Sequence, residues 1–143
     1  MITVAIIAIL ARIALPAYFG SMRKSRRAEA VNYMAQVAQA EERWRAGNTS
    51  YSNDFGTANL NVLAAAASAA SVTSPNSYYT FTIPTNTAAA YTVRAVALGT
   101  QANDTQCVAM EMRMAAGSLT YVSSTSAATI AASTTDTNRC WSR

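Results

Sequence analysis

The stretch that decides the fold is Val4–Asn48, "VAIIAILARIALPAYFGSMRKSRRAEAVNYMAQVAQAEERWRAGN". Its first part is apolar on every side. Counted through Arg12, the run from Met1 to Phe19 has 19 residues. As a helix it would be about 28 Å long, close to the hydrocarbon thickness of a bilayer. Its last part is one-sided. Ala30, Val31, Met34, Val37, Ala38 and Trp44 recur at helical spacing, while Glu29, Gln36, Gln39, Glu42 and Arg43 fall largely off that stripe. Gly47-Asn48 is a stop signal. The pattern therefore predicts one helix of about 46 residues, all-apolar first and amphipathic second. Pro16 should weaken it, because proline removes one backbone hydrogen bond and clashes with the preceding turn. A cleaved signal peptide is the first rival. Such peptides open with a positive region, which this stretch lacks, and the helical pattern runs on past "ALPAYFG" without a fresh start.

Charge outlines the compartment problem. The chain has 143 residues, a net charge of +4 and only 13% charged residues. That length suits one domain with a real core. The uncharged Ser, Thr, Asn and Ala surface is closer to that of a secreted protein than of a cytosolic enzyme. Arg23, Lys24, Arg26 and Arg27 cluster directly after the apolar run. They read as a solvated helix face, an anchor for lipid headgroups, or a nucleic-acid patch. By the positive-inside rule the cluster places the C-terminal part in the cytoplasm. The cysteines argue for the other side. Cys107 and Cys140, with 32 residues between them and no histidine in the chain, cannot complete a zinc site. In an oxidising compartment they would pair, which is worth about 3–4 kcal/mol in the chain-entropy view. Otherwise they are two buried free thiols. A basic segment upstream would resolve the conflict between the two signals.

Beyond the helix, 49–77 reads as a loop with a short helix in "TANLNVLAAAASAA" (57–70), broken by "SVTSPNS" (71–77). Strand patterns follow. "YYTFTI" (78–83) puts Tyr79, Phe81 and Ile83 on one face and Thr80 and Thr82 on the other. "PTNT" (84–87) should turn the chain, "AYTVRAVAL" (90–98) is strand-like, and Gly99 to Asp104 turns again. "QCVAMEMRM" (106–114) alternates strictly. Val108, Met110, Met112 and Met114 take the core face against the helix; Cys107, Ala109, Glu111 and Arg113 take the other. A copper-binding or partner-binding methionine row is the sharper reading, but a strand half-buried on a helix needs that face apolar. Cys107 should then point away from the helix. Cys140 reaches it only if the tail folds back over the sheet's outer side, so that a bridge would pin 117–143 across that face. Pinned, "SSTSAATIAASTTDTN" (123–138) is an exposed loop suited to glycans or contacts; unpinned, it is a flexible tail. Trp141 should cover the bridge.

The fold class is therefore α+β, a long N-terminal helix packed on an antiparallel sheet of about four strands. The divisions are 1–27, an apolar membrane or assembly helix, and 28–143, a head. Within the head, 28–47 is the amphipathic half-helix, 48–77 a connecting loop, 78–122 the sheet and 117–143 the closing loop. Catalysis finds no support. There is no histidine base, Glu41 and Glu42 point to different helix faces, and there is no glycine phosphate loop or serine nucleophile motif. No enzyme activity, cofactor or metal is expected.

The opening "MITVAIIAILARIALPAYFGSMRKSRRAEAV", then "AEERWRAGNTSYSND" (40–54), "QC" (106–107) and "CW" (140–141) resemble a type IV pilin of the Gram-negative type IVa kind. The resemblance implies a terminal disulfide, Cys107–Cys140, and an assembly helix formed by Ile2, Val4, Ile6, Ile7, Ile9, Leu10, Ile13, Leu15 and Pro16. Ala5, Ala8, Ala11, Ala14 and Ala17 would permit close helix approach, and Ala8 to Pro16 would be partly non-helical in a fibre. Mature pilins begin with a methylated phenylalanine followed shortly by a glutamate, after a basic leader ending in glycine. Their absence here implies an N-terminally incomplete sequence. Arg12 stands where the family is usually small and apolar. It would snorkel in the membrane or form an ion pair in the filament core. The implied function is a structural pilus subunit supporting adhesion, twitching motility or DNA uptake. The implied partners are its own copies in a helical filament, the inner membrane before assembly, and a prepilin peptidase, platform and motor. The implied location is the bacterial cell surface, after an inner-membrane stage with a periplasmic head. The alternatives are a DNA-binding minor pilin, with Arg94, Arg113, Arg139 and Arg143 as contacts if they cluster, and a secretion-system pseudopilin. The scattered Asp54, Asp104 and Asp136 do not suggest the calcium loop of the latter.

Overall fold

The structure, a computed structural model, describes residues 2–127, 130, 136 and 139–141. One helix, α1, spans Ile2–Arg45. It runs through Pro16 without a break. Arg43 and Arg45 in its last turn complement the helix dipole. The stop is built as expected: the Gly47 N–H donates to the Trp44 carbonyl (3.1 Å), and the Asn48 side chain donates to the same oxygen (2.9 Å).

Among the described residues, five strands follow in one antiparallel meander, ordered β1 (Ser71–Thr73), β2 (Tyr79–Asn86), β3 (Ala90–Ala97), β4 (Ala109–Ala115) and β5 (Ser118–Ser124). A short 3-10 turn, Gly99–Asn103, joins β3 to β4. β1 is a strand where the sequence suggested only a breaker. It pairs Val72 with Phe81 on the far edge of the sheet. Pro84 lies within β2 rather than turning the chain. It sits where the β2–β3 register shifts, between Thr82 and Thr85, and there a missing N–H disturbs no regular ladder. At the β4–β5 hairpin Ala116 and Gly117 both have positive φ, 49° and 81°. That is the backbone signature of a two-residue turn matched to strand twist.

The core lies between the second half of α1 and one face of the sheet. Ala30, Met34 and Val37 are fully buried against Phe81, Tyr91, Val93 and Met110. The methionine face falls as the alternation predicts: Met110 and Met112 are buried, and Met114 packs at the margin. The short helix expected in 57–70 does not form. Asp54 organises this segment instead, accepting the N–H groups of Gly56 and Ala69 (each 2.7 Å) and the Ser68 hydroxyl (2.5 Å). These bonds, led by that from Ala69, hold its carboxyl below the usual range. A side chain at Gly56 would bring Cβ within 2.3 Å of the Ala67 carbonyl oxygen. Phe55, Leu60 and Val62 dip into the core, and that burial outweighs the propensity of a few alanines, which nucleate a short helix poorly.

The tail also departs from expectation. Cys107 is bridged to Cys140, but it does not point away from the helix. It precedes β4, so strand alternation has not begun there, and it is fully buried in the helix-side core. Of the described residues after β5, Ile130 lies on the outer face, where it packs with Ala109, Val122 and Val96. Cys140 and Trp141 lie on the helix side, beside Gln106 and Ala28. The described residues of the closing segment are therefore found on both faces of the sheet rather than on one. Because β5 occupies Ser118–Ser124, the segment begins after 124, not at 117.

Candidate nucleic-acid interface

Three sets of described cations bear on a candidate interface. In the basic cluster of α1, two arginines hold the head to the helix. Arg27 makes a two-pronged pair with Asp104 (2.5 and 2.6 Å). Arg26 lies over the Tyr78 ring, 4.1 Å from its centroid, and donates to the Thr100 hydroxyl (3.1 Å). Buried Gln101 braces the same corner, donating to the Tyr79 hydroxyl (3.0 Å) and Asp104 (3.2 Å). Burial there pushes the Tyr79 phenol up to about 12. These cations serve tertiary structure first.

The second group is on the sheet face opposite the helix. Antiparallel register sets Arg94 of β3 directly across from Glu111 of β4, and Thr92 across from Arg113. Glu111 is almost fully buried, and its carboxylate receives both arginines. Arg94 Nε reaches Oε1 at 2.5 Å, while Arg113 Nε reaches Oε2 at 2.8 Å. Arg113 also donates to the Ile130 carbonyl (3.2 Å), where the tail crosses. The two arginine side chains keep 22% and 23% exposure, against 2% for that of the acid. They open on a shallow pocket of about 290 Å³ beside Thr85 and Thr92. Two cations on one carboxylate leave a net positive charge, and a buried acid beneath them fixes their direction. Arg94 is held through Nε, Arg113 through Nε and Nη2, and a planar guanidinium is the side-chain group best shaped to pair with phosphate.

The third group is Arg139, which lies with Lys24 and Trp141 in a groove beside the helix. The four arginines proposed from the sequence therefore do not make one cluster. Arg94 and Arg113 meet, Arg139 is on the helix side of the β5 edge, and Arg143 lies outside the described residues. Sequence reasoning missed Glu111 as the organiser. The i, i+2 spacing of Glu111 and Arg113 on one strand face was visible; the Arg94 partnership needed the strand register. Among the described residues, no three acidic or cysteine side chains converge on a metal position.

The apolar half of α1 joins none of these groups. Ile2, Val4, Ile6, Ile7, Ile9, Leu10, Ile13 and Leu15 are all more than half exposed. Arg12 among them is exposed as well. By length and composition this segment could cross a membrane.

No curated protein matches the chain. Residues 16–111 match the family described as "Type IV minor pilin ComP, DNA uptake sequence receptor". That span covers about two thirds of the chain, from Pro16 through Glu111. It reaches from the helix into the fourth strand of the sheet, to the carboxylate that holds the two arginines; the segment Ile2–Leu15 and Cys140 lie outside it. The chain is a type IV pilin and belongs to the ComP minor pilin family.

Proposed function

We propose that this pilus subunit binds DNA through the outer face of its sheet, with Arg94 and Arg113 contacting backbone phosphates. The observation that carries the reading is the pair of partly exposed arginines oriented by one buried glutamate, on the face opposite the helix. A DNA uptake role belongs to the matched family. Phosphate contacts would supply affinity and register, while sequence preference would need further contacts to base edges. Arg139 and Arg143 remain candidates for contacts outside this pair.

In the same reading, the helix through Ile2–Leu15 is stored in the inner membrane with the head in the periplasm. It is then packed against its copies in a filament displayed on the cell surface. A prepilin peptidase, a platform and a motor would act in that passage, with a methylated N-terminus as in related pilins. Arg12 would find a carboxylate from a neighbour in the fibre. Adhesion and twitching are the further roles open to such a fibre.

The test is binding of a fluorescent duplex to the full chain in detergent micelles, measured by anisotropy across a salt series. Each lost phosphate contact flattens the log–log salt slope by about 0.9. Arg94→Ala with Arg113→Ala should therefore weaken binding and flatten the slope by about 1.8. Unchanged affinity and slope would remove the outer face as the site.

A further inference from the structure

The Arg94–Arg113 site does not include the groove beside the helix, from which the DNA reading draws only Arg139, and the position of that groove along α1 is informative. The apolar run Ile2–Phe19 has 18 residues, about 27 Å of helix, which matches the hydrocarbon core of a bilayer. Ser21, Lys24 and Ser25 follow on one helical stripe. They lie within about 9 Å of the end of that run, at the level of the lipid headgroups. The tail returns from the sheet to this level. Arg139, Cys140 and Trp141 form the opposite wall, and the groove between the two walls has a volume of about 970 Å³.

The tail wall is fixed from several directions. Cys140 is bridged to Cys107. The Trp141 N–H donates to Asp136 (2.9 Å), and its indole Nε1–H donates to the Val122 carbonyl (3.0 Å). The indole also packs on Tyr121, with ring centroids 4.8 Å apart. On the helix wall Lys24 is exposed and meets no acidic group within ion-pair distance among the described residues. Asp104 is already engaged by Arg27, and Glu29, one turn further along α1, accepts the Asn76 amide. Hydroxyls, cations and an amphipathic aromatic thus share one level just beyond the apolar run. Tryptophan concentrates at that layer, and basic residues there attract anionic lipid.

We infer that this groove seats the phosphate headgroup of an anionic glycerophospholipid while the subunit waits in the bilayer. Lys24 and Arg139 meet the phosphate, Ser21 and Ser25 offer hydroxyl donors, and Trp141 closes the side facing the acyl chains. The inference rests on the membrane-stored helix proposed above. It assigns the basic cluster a second task besides holding the head: it sets the depth and tilt at which the head rides on the membrane.

The experiment uses the full chain carrying Trp44→Phe, which leaves Trp141 as the sole indole. It is reconstituted in phosphatidylcholine vesicles doped with phosphatidylglycerol. Quenching of Trp141 by headgroup-spin-labelled lipid gives the relative association constant of the two lipids. Phosphatidylglycerol should be preferred, and Lys24→Ala should lower that preference about fivefold. Equal constants for the two lipids would overturn the inference. So would soluble glycerophosphate that displaces the labelled lipid in full, because the site would then be a free-phosphate site. A second variant, Ile9→Trp in a background lacking both native tryptophans, reports insertion through quenching by brominated acyl chains. No quenching there sinks the membrane-stored reading itself; quenching there without a lipid preference at Trp141 sinks only the headgroup site.

Discussion

Ile2–Phe19 and Ala28–Arg45 belong to the same helix, yet their side chains meet opposite fates. In the first, Ile2 is 77% exposed and Ile13 71%; in the second, Ala30, Met34 and Val37 are wholly buried. The first half is the more apolar, so hydrophobic content does not decide which half the head covers. Distribution around the helix does. A sheet offers one face, which satisfies one stripe and leaves the polar side in water. A segment apolar on every side needs a surrounding solvent of its own kind, lipid or other helices. Each such side chain removed from water contributes roughly 1.5–3 kcal/mol. The exposed half therefore holds a large driving force for insertion or association that the head cannot use.

The contrast can be broken most sharply with a buried charge. Met34→Asp should cost the head more than about 4 kcal/mol and leave it unfolded or nearly so. Ile9→Asp should leave the urea midpoint of the detergent-solubilised head unchanged while abolishing self-association. Equal loss of head stability in the two variants would show that the first half packs on the head after all.

The bridge comes next. Cys140→Ser should lower stability by about 3–4 kcal/mol in the chain-entropy view, checked by urea unfolding with and without reductant. Trp141 fluorescence should change with it, because that residue loses its tether, while burial of the helix stripe around Met34 should persist.

A third prediction concerns the polar exception in the packed half. Glu41 is wholly buried and accepts the Ser52 N–H at 2.9 Å. Burial, partly offset by that bond and reinforced by Glu42, raises its carboxyl to about 7. The folded state thus holds the proton more tightly than the unfolded chain, whose value is 4.5. Its stabilising contribution is complete below the unfolded value and is lost as pH rises through about 7, a span on the order of 3 kcal/mol. Glu41→Gln should flatten the pH dependence of the urea midpoint across that window. An unchanged slope would contradict the assignment.

The smallest effect lies at the hairpin. Gly117→Ala, at a φ of 81°, should cost about 1–2 kcal/mol, measurable as a modest drop in thermal midpoint without loss of helix packing.

What could be read without coordinates follows from periodicity. The two-part helix, its stop at Gly47-Asn48 and the Met110–Met112 core face all rest on patterns that local sequence carries. Three features did not. The 57–70 segment is alanine-rich, and propensity alone points to a helix; Asp54 and the burial of Phe55, Leu60 and Val62 decide otherwise. Cys107 lies just ahead of β4, outside the strand, so strand alternation extended back to it gave the wrong face. Arg94 and Glu111 are 17 positions apart, and only the β3–β4 register makes them a pair. Local spacing shows faces; it does not show which faces meet.

The central claim is that the apolar half of α1 stays off the head and drives assembly. Its most direct test is sedimentation of the full chain as detergent is withdrawn without denaturant. Large assemblies should form, dispersed by detergent and blocked by Ile9→Asp, with the head still folded inside them. A chain that stayed monomeric and soluble, with Ile9 and Ile13 protected from solvent within its own head, would contradict the account.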